Sequence, residues 1–148
     1  MLVMGILNVT PDSFADGGKH YTFEHAMAHG LSMIDDSVDI IDVGGESTRP
    51  GAERVSEEEE ERRVIPVIAG LAGRGVEISV DTMRASIAKK AVAAGATIVN
   101  DVSGGQADPN MFSTVAQLKC KYTLMSNCRK HIGICLAPTN VVDNCGAC

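Results

Sequence analysis

The chain has 148 residues, 45% of them hydrophobic and 22% charged, the balance of one globular domain, which excludes disorder along its whole length. Its formal net charge is −6 and its 13 Lys and Arg are scattered, so it lacks the basic face that coats a polyanion, and nucleic acid is not an expected partner. No apolar run approaches the ~20 residues of a membrane span, and Met1 leads into a strand-like run without a charged leader; a cytoplasmic protein with no membrane partner is expected.

Leu2–Leu7 is a short apolar run and the first expected strand. Thr22–Ser37 follows as a helix with Phe23, Met27, Leu31 and Ile34 on one stripe. His25 and His29 fall on its polar side and, with no third ligand in view, read as solvated rather than metal-binding. Ile40–Val43 is the second strand. Ser56 with Glu59 makes a capping-box pattern, and the glutamates 57–61 place negative charge at the positive end of a helix dipole, so that run is expected to be a solvated first turn. Glu77–Val80 is the third strand. Arg84–Ala94 carries Ile87, Ala88, Ala91 and Val92 on one side, with Gly95 as the C-cap. Thr97–Val99 is the fourth strand, Pro109 opens a fourth helix near its first turn, and Lys121–Met125 is the fifth strand. Short apolar strands alternating with helices imply an α/β fold built on a parallel sheet.

Polar residues begin where the strands stop: Asn8, Gly44–Thr48, Asp81 and Asn100–Asp101. In a parallel βα fold these positions share the rim at the carboxyl ends of the strands, where such enzymes place their active sites. The segment from Asn8 to Gly18 combines an amide, carboxylates, Phe14 and a Gly-Gly pair, which suits a loop that carries a metal and closes over substrate, and equally a plain Asn/Asp/Gly turn. The segment from Gly44 to Gly51 offers close backbone approach, two hydroxyls and Arg49, a cradle for phosphate without the Gly-Lys-Ser/Thr ending of a nucleotide loop. Asp81 could instead cap the next helix. Asp42, inside a strand, reads as structural, and Asp101 as a partner for nearby backbone.

Together, NVTPDSFADGG at 8–18, DVGGESTRPGA at 42–52, SVDTMRA at 79–85 and NDVSGG at 100–105 closely resemble dihydropteroate synthase, a sulfonamide-inhibited, pterin-binding family of folate biosynthesis. The resemblance covers about residues 2–125. It implies a TIM (βα)8 barrel and a transferase that condenses 6-hydroxymethyl-7,8-dihydropterin pyrophosphate with p-aminobenzoate, releasing pyrophosphate and 7,8-dihydropteroate. It further implies that Asn8 binds Mg²⁺ with help from the diphosphate and that Asp81 and Asn100 hydrogen-bond the pterin. Thr48 and Arg49 would meet the pyrophosphate, and Met125 would pack beside the pterin. Phe14, Asp16 and Pro50 would shape the aminobenzoate pocket. Asp81, Asn100 and Arg49 are the expected catalytic residues. Ala15 replaces a common family serine.

After Met125 the family pattern continues with a histidine-bearing segment and three more βα units, which supply an aspartate, a lysine and an arginine–histidine pair. Ser126–His131 matches none of it. Residues 1–119 hold no cysteine, whereas Cys120, Cys128, Cys135, Cys145 and Cys148 crowd the end. The expectation is therefore an incomplete barrel, its first four to five βα units in residues 1–125, followed by a divergent, irregular, cysteine-rich tail over 126–148 of frameshifted origin. Absence of the family continuation from every other reading frame past codon 125 would sink that origin. Cys145 and Cys148 form a CxxC pair, but Cys128 and Cys135 lack the spacing of a zinc site. Family homodimers form largely through later helices, so a homodimer does not carry over. Three readings stay open: a dihydropteroate synthase, a truncated, catalytically inactive fragment that binds pterin and pyrophosphate, or a nonfunctional truncated product.

Overall fold

The computed structural model describes residues 2–10, 21–47, 54–125 and 134–137. Strand and helix alternate through β1 (Met4–Asn8), α1 (Tyr21–Asp35), β2 (Ile40–Gly44), α2 (Glu57–Leu71), β3 (Glu77–Asp81), α3 (Ala85–Ala94), β4 (Ile98–Asp101), α4 (Met111–Leu118), β5 (Lys121–Met125) and β6 (Ile134–Ala137). The sheet order is β1-β2-β3-β4-β5-β6. Each of the first four pairings is parallel. Successive neighbours joined by a helix are what βαβ units produce, and the order leaves β1 at one edge.

Alternation along each strand divides the sheet into two faces. Leu7, Ile41, Val43, Ile78, Val80 and Val99 join Val64, Val67, Ile68, Leu71, Ile87, Ala88 and Met111 of the helices in one core. Burying each such aliphatic side chain contributes about 1.5–3 kcal/mol. The other face carries Ile6, Asp42, Ser79, Asp81, Asn100 and Thr123, which alternate with the core residues along their strands. That second face is mixed, with polar residues toward the carboxyl ends of the strands and Ile6, Ile40 and Ile98 further back.

Local chemistry sets the helix ends. Ser56 caps α2, its Oγ accepting the Glu59 N–H at 3.2 Å. Gly95 closes α3 at φ 119°, and a Cβ there would lie 2.6 Å from the Ala72 Cβ, so conformation and space both require glycine. α4 starts at Met111 with Asn110 as N-cap, two residues past the Pro109 opening that sequence suggests.

Three expectations need correction. On α1, Phe23 and Leu31 are exposed, and Ala26 and Gly30 are buried instead. Met27 and Ile34 of the expected stripe do pack against the core, but the helix approaches α2 so closely that a Cβ on Gly30 would meet Leu71 and one on Gly70 would meet Met27, so the contact is made by glycines set against large side chains. The glutamates 57–61 are not all solvated, since Glu60 is 1% exposed. The tail also contributes an element: β6 lies antiparallel to β5, with Tyr122 opposite Ala137 and Met125 opposite Ile134. A free strand edge accepts any extended segment, and an antiparallel neighbour needs only a short connection.

Candidate functional site

Strand register assembles the site. Asn8 pairs with Gly44, Gly44 with Asp81, Asp81 with Asn100, and Asn100 with Thr123, so five residues from five strands form one row at the carboxyl ends. Gly44 has no side chain, which leaves a gap in this row. A Cβ on Gly44 would lie 3.5 Å from Asn8 Oδ1 and 3.6 Å from Asp81 Oδ2, so the amide and carboxylate oxygens flank the same opening. Beneath it, Asp42 Oδ2 accepts the Asn100 side-chain N–H at 2.9 Å.

Four buried polar atoms on this face have no hydrogen-bond partner among the described residues: Asp42 Oδ1, Ser79 Oγ, Asn100 Oδ1 and Thr123 Oγ1. Each such orphan costs about 1–3 kcal/mol unless water or a ligand meets it. Burial raises the Asp81 carboxyl to about 7, and the carboxylates of Asp42, Glu60, Asp101 and Glu46 push in the same direction. The patch is acceptor-rich and suits a ligand that presents N–H donors.

The loop segments around the row are held by charged and polar contacts. Glu60 accepts the Thr82 hydroxyl at 2.6 Å and the Arg84 guanidinium. Arg84 also donates to Glu46 at 3.1 Å and to the Val55 carbonyl at 2.7 Å. Arg63 donates to the Gly45 carbonyl at 3.0 Å, and Arg54 pairs with Glu46 at 3.1 Å. After β4, Asp101 accepts backbone N–H groups of Ser103 and Gly105, the Ser103 hydroxyl and the Tyr122 hydroxyl.

Asn8, Asp81 and Asn100 therefore share one row, with Asn8 exposed and the other two half-buried. Asp81 does not cap α3, because Asp108 Oδ2 accepts the Ala85 N–H at 2.8 Å and the N-cap position is Arg84. Asp101 holds backbone, as sequence suggests. His25 and His29 are exposed. Met125 ends β5, with its side chain outside the described portion. Phe14, Asp16, Thr48, Arg49 and Pro50 lie outside the described residues. Sequence reasoning missed Glu60 and Arg84. The spacing Glu60, Val64, Val67, Ile68 and Leu71 places the glutamate on the buried stripe of α2, and that periodicity was the available signal.

A family model described as "Pterin binding enzyme" matches residues 4–144, nearly the whole chain. The chain belongs to the pterin-binding enzyme family. The match runs into the segment past residue 126 that composition sets apart. Among pterin-binding relatives, a dihydropteroate synthase of Bacillus subtilis is 58% identical over 127 residues, 85% of this chain and 45% of the relative. One of Mycobacterium leprae is 50% identical over 123 residues, 83% of this chain and 43% of the relative. A Xanthomonas albilineans dihydropteroate synthase solved with 4-aminobenzoic acid superposes with a TM-score of 0.80 at 51% identity, covering 84% of this chain and 46% of that one. The same organism's enzyme in complex with 7,8-dihydropteroate gives 0.75 at 45% identity, covering 88% and 47%. The chain thus spans under half the length of these relatives, and its α/β sheet is the incomplete barrel that the motifs imply.

Proposed function

We propose that the row from Asn8 to Thr123 is the pterin end of a dihydropteroate synthase active site, which joins 6-hydroxymethyl-7,8-dihydropterin pyrophosphate to p-aminobenzoate. The observation that carries this reading is the patch of orphaned acceptors beside Asp81. The amino-pyrimidinone edge of a pterin presents adjacent N–H donors, which a carboxylate and the oxygens of Asn100 and Asp42 can accept. Charge-assisted bonds of this kind contribute about 1.5–3 kcal/mol each. Met125 would pack beside the ring. Thr48 and Arg49 would bind the diphosphate, and Arg49 would stabilise the charge that develops as pyrophosphate departs. Phe14, Asp16 and Pro50 would border the aminobenzoate.

The residues present fit a hard cation. Asn8 Oδ1 faces the gap over Gly44, and one amide oxygen completed by diphosphate oxygens and water is the donor set that Mg²⁺ favours. Bound there, Mg²⁺ would neutralise charge on the leaving group. The chain's own contribution is to orient the pterin, keep its inner edge from water and hold Asp81 close to neutral pH. Asp81 would bind best when ionised.

The edge position of β1 favours a second reading, in which this chain binds pterin and diphosphate without turnover. Calorimetry with the pterin pyrophosphate and Mg²⁺, followed by an assay for dihydropteroate, separates the two. Binding with product formation supports the synthase, binding alone supports the fragment, and no binding overturns both.

A further inference from the structure

The segment between β2 and α2 holds the candidate diphosphate residues, and one side chain from another element reaches both of its described ends. Arg84 lies between β3 and α3 and donates to Glu46 at the start of that segment and to the Val55 carbonyl at its end. Its own position is fixed from below by Glu60, whose side chain is 2% exposed and also accepts the Thr82 hydroxyl. Thr82 Oγ1 in turn accepts the Arg84 backbone N–H at 3.2 Å. Thr82 follows Asp81 directly, so one cluster ties the pterin carboxylate's strand to both ends of the 46–55 segment.

We infer that Arg84 is a positioning residue for diphosphate binding that holds Glu46 and Val55, at the two described ends of the β2–α2 connection, to the Glu60–Thr82 anchor. A guanidinium suits this task, because its several donors lie in a fixed plane and can serve two carboxylates and a carbonyl at once. Lysine, with a compact ammonium on a flexible stem, does not reproduce that spread. The role rests on the dihydropteroate synthase reading of Thr48 and Arg49.

The test compares the chain with its Arg84→Lys, Arg84→Met and Glu46→Ala variants. Amide hydrogen exchange at Glu46, Ser47, Arg54 and Val55 should quicken by about ten-fold or more in all three, while the Asp101–Gly105 turn keeps its protection. Affinity for inorganic pyrophosphate with Mg²⁺ should fall about ten-fold or more, with no loss of affinity for 6-hydroxymethyl-7,8-dihydropterin lacking the diphosphate. Glu46→Ala leaves Glu60 paired and so reads the clamp without disturbing the buried anchor. Unchanged exchange in Glu46→Ala, or equal loss of both ligands, overturns the inference. An unsubstituted chain that binds the pterin but no pyrophosphate sinks the diphosphate role and with it this function for Arg84. The exchange result still decides whether Arg84 clamps the segment.

Discussion

Asp81 is the residue on which binding and stability pull in opposite directions. Its carboxyl is raised to about 7, by burial first and by four neighbouring carboxylates after that. In the unfolded chain the same group titrates near 4. Below pH 4 it is neutral in both states and costs nothing. Between pH 4 and 7 the unfolded chain ionises first, so stability falls as pH rises, and above 7 the cost is constant at about 4 kcal/mol. Asp81→Asn should therefore unfold at a higher temperature than the unsubstituted chain at pH 8 and at the same temperature near pH 3.5. A melting difference that does not change with pH would contradict the buried, charge-crowded setting. The motif around Asp81 is legible in sequence because strand ends put polar residues where apolar runs stop. The pressure from Asp42, Glu60 and Glu46 is not, since those carboxylates converge only after folding.

At the scale of elements, α2 shows what can and cannot be read in advance. Its cap at Ser56 and the βα order follow from local pattern, and so does the C-cap at Gly95. The run of glutamates reads as uniformly solvated only if the helix period is ignored. Glu58 is exposed, whereas Glu60 holds Thr82 and Arg84. Glu60→Ala should destabilise the chain by about 3–5 kcal/mol by leaving Arg84 partly buried and underpaired, while Glu58→Ala, at an exposed position, should shift the denaturation midpoint far less. Equal denaturation midpoints for the two variants would refute the distinction. The α1 stripe misled for a related reason. Periodicity identifies a helix with one apolar side, but the closeness of α2, which sets Gly30 against Leu71 and Met27 against Gly70, is a tertiary fact. β6 escaped notice because a four-residue strand has too little pattern to stand out and forms only where β5 offers an edge.

For the whole molecule, the sheet's inner face and its first edge matter most. Leu2 and Val3 just before β1, and Met4 and Ile6 within it, are exposed by 41–64%, and the strand's outer edge has no neighbouring strand in the described sheet. An apolar strand edge is a template for pairing with another chain. The chain should self-associate with rising concentration, and Ile6→Lys should suppress this without changing the α3–α4 region. Sedimentation that gives one concentration-independent species for both proteins would remove the edge from consideration. The central claim concerns the opposite rim, where Asn8, Asp81, Asn100 and Thr123 converge around Gly44. Calorimetric titration with 6-hydroxymethyl-7,8-dihydropterin pyrophosphate and Mg²⁺ tests it most directly. We expect saturable one-to-one binding that weakens about ten-fold or more in Asp81→Asn. Binding that Asp81→Asn leaves unchanged, or no binding by the unsubstituted chain, would contradict the assignment of this row to the pterin.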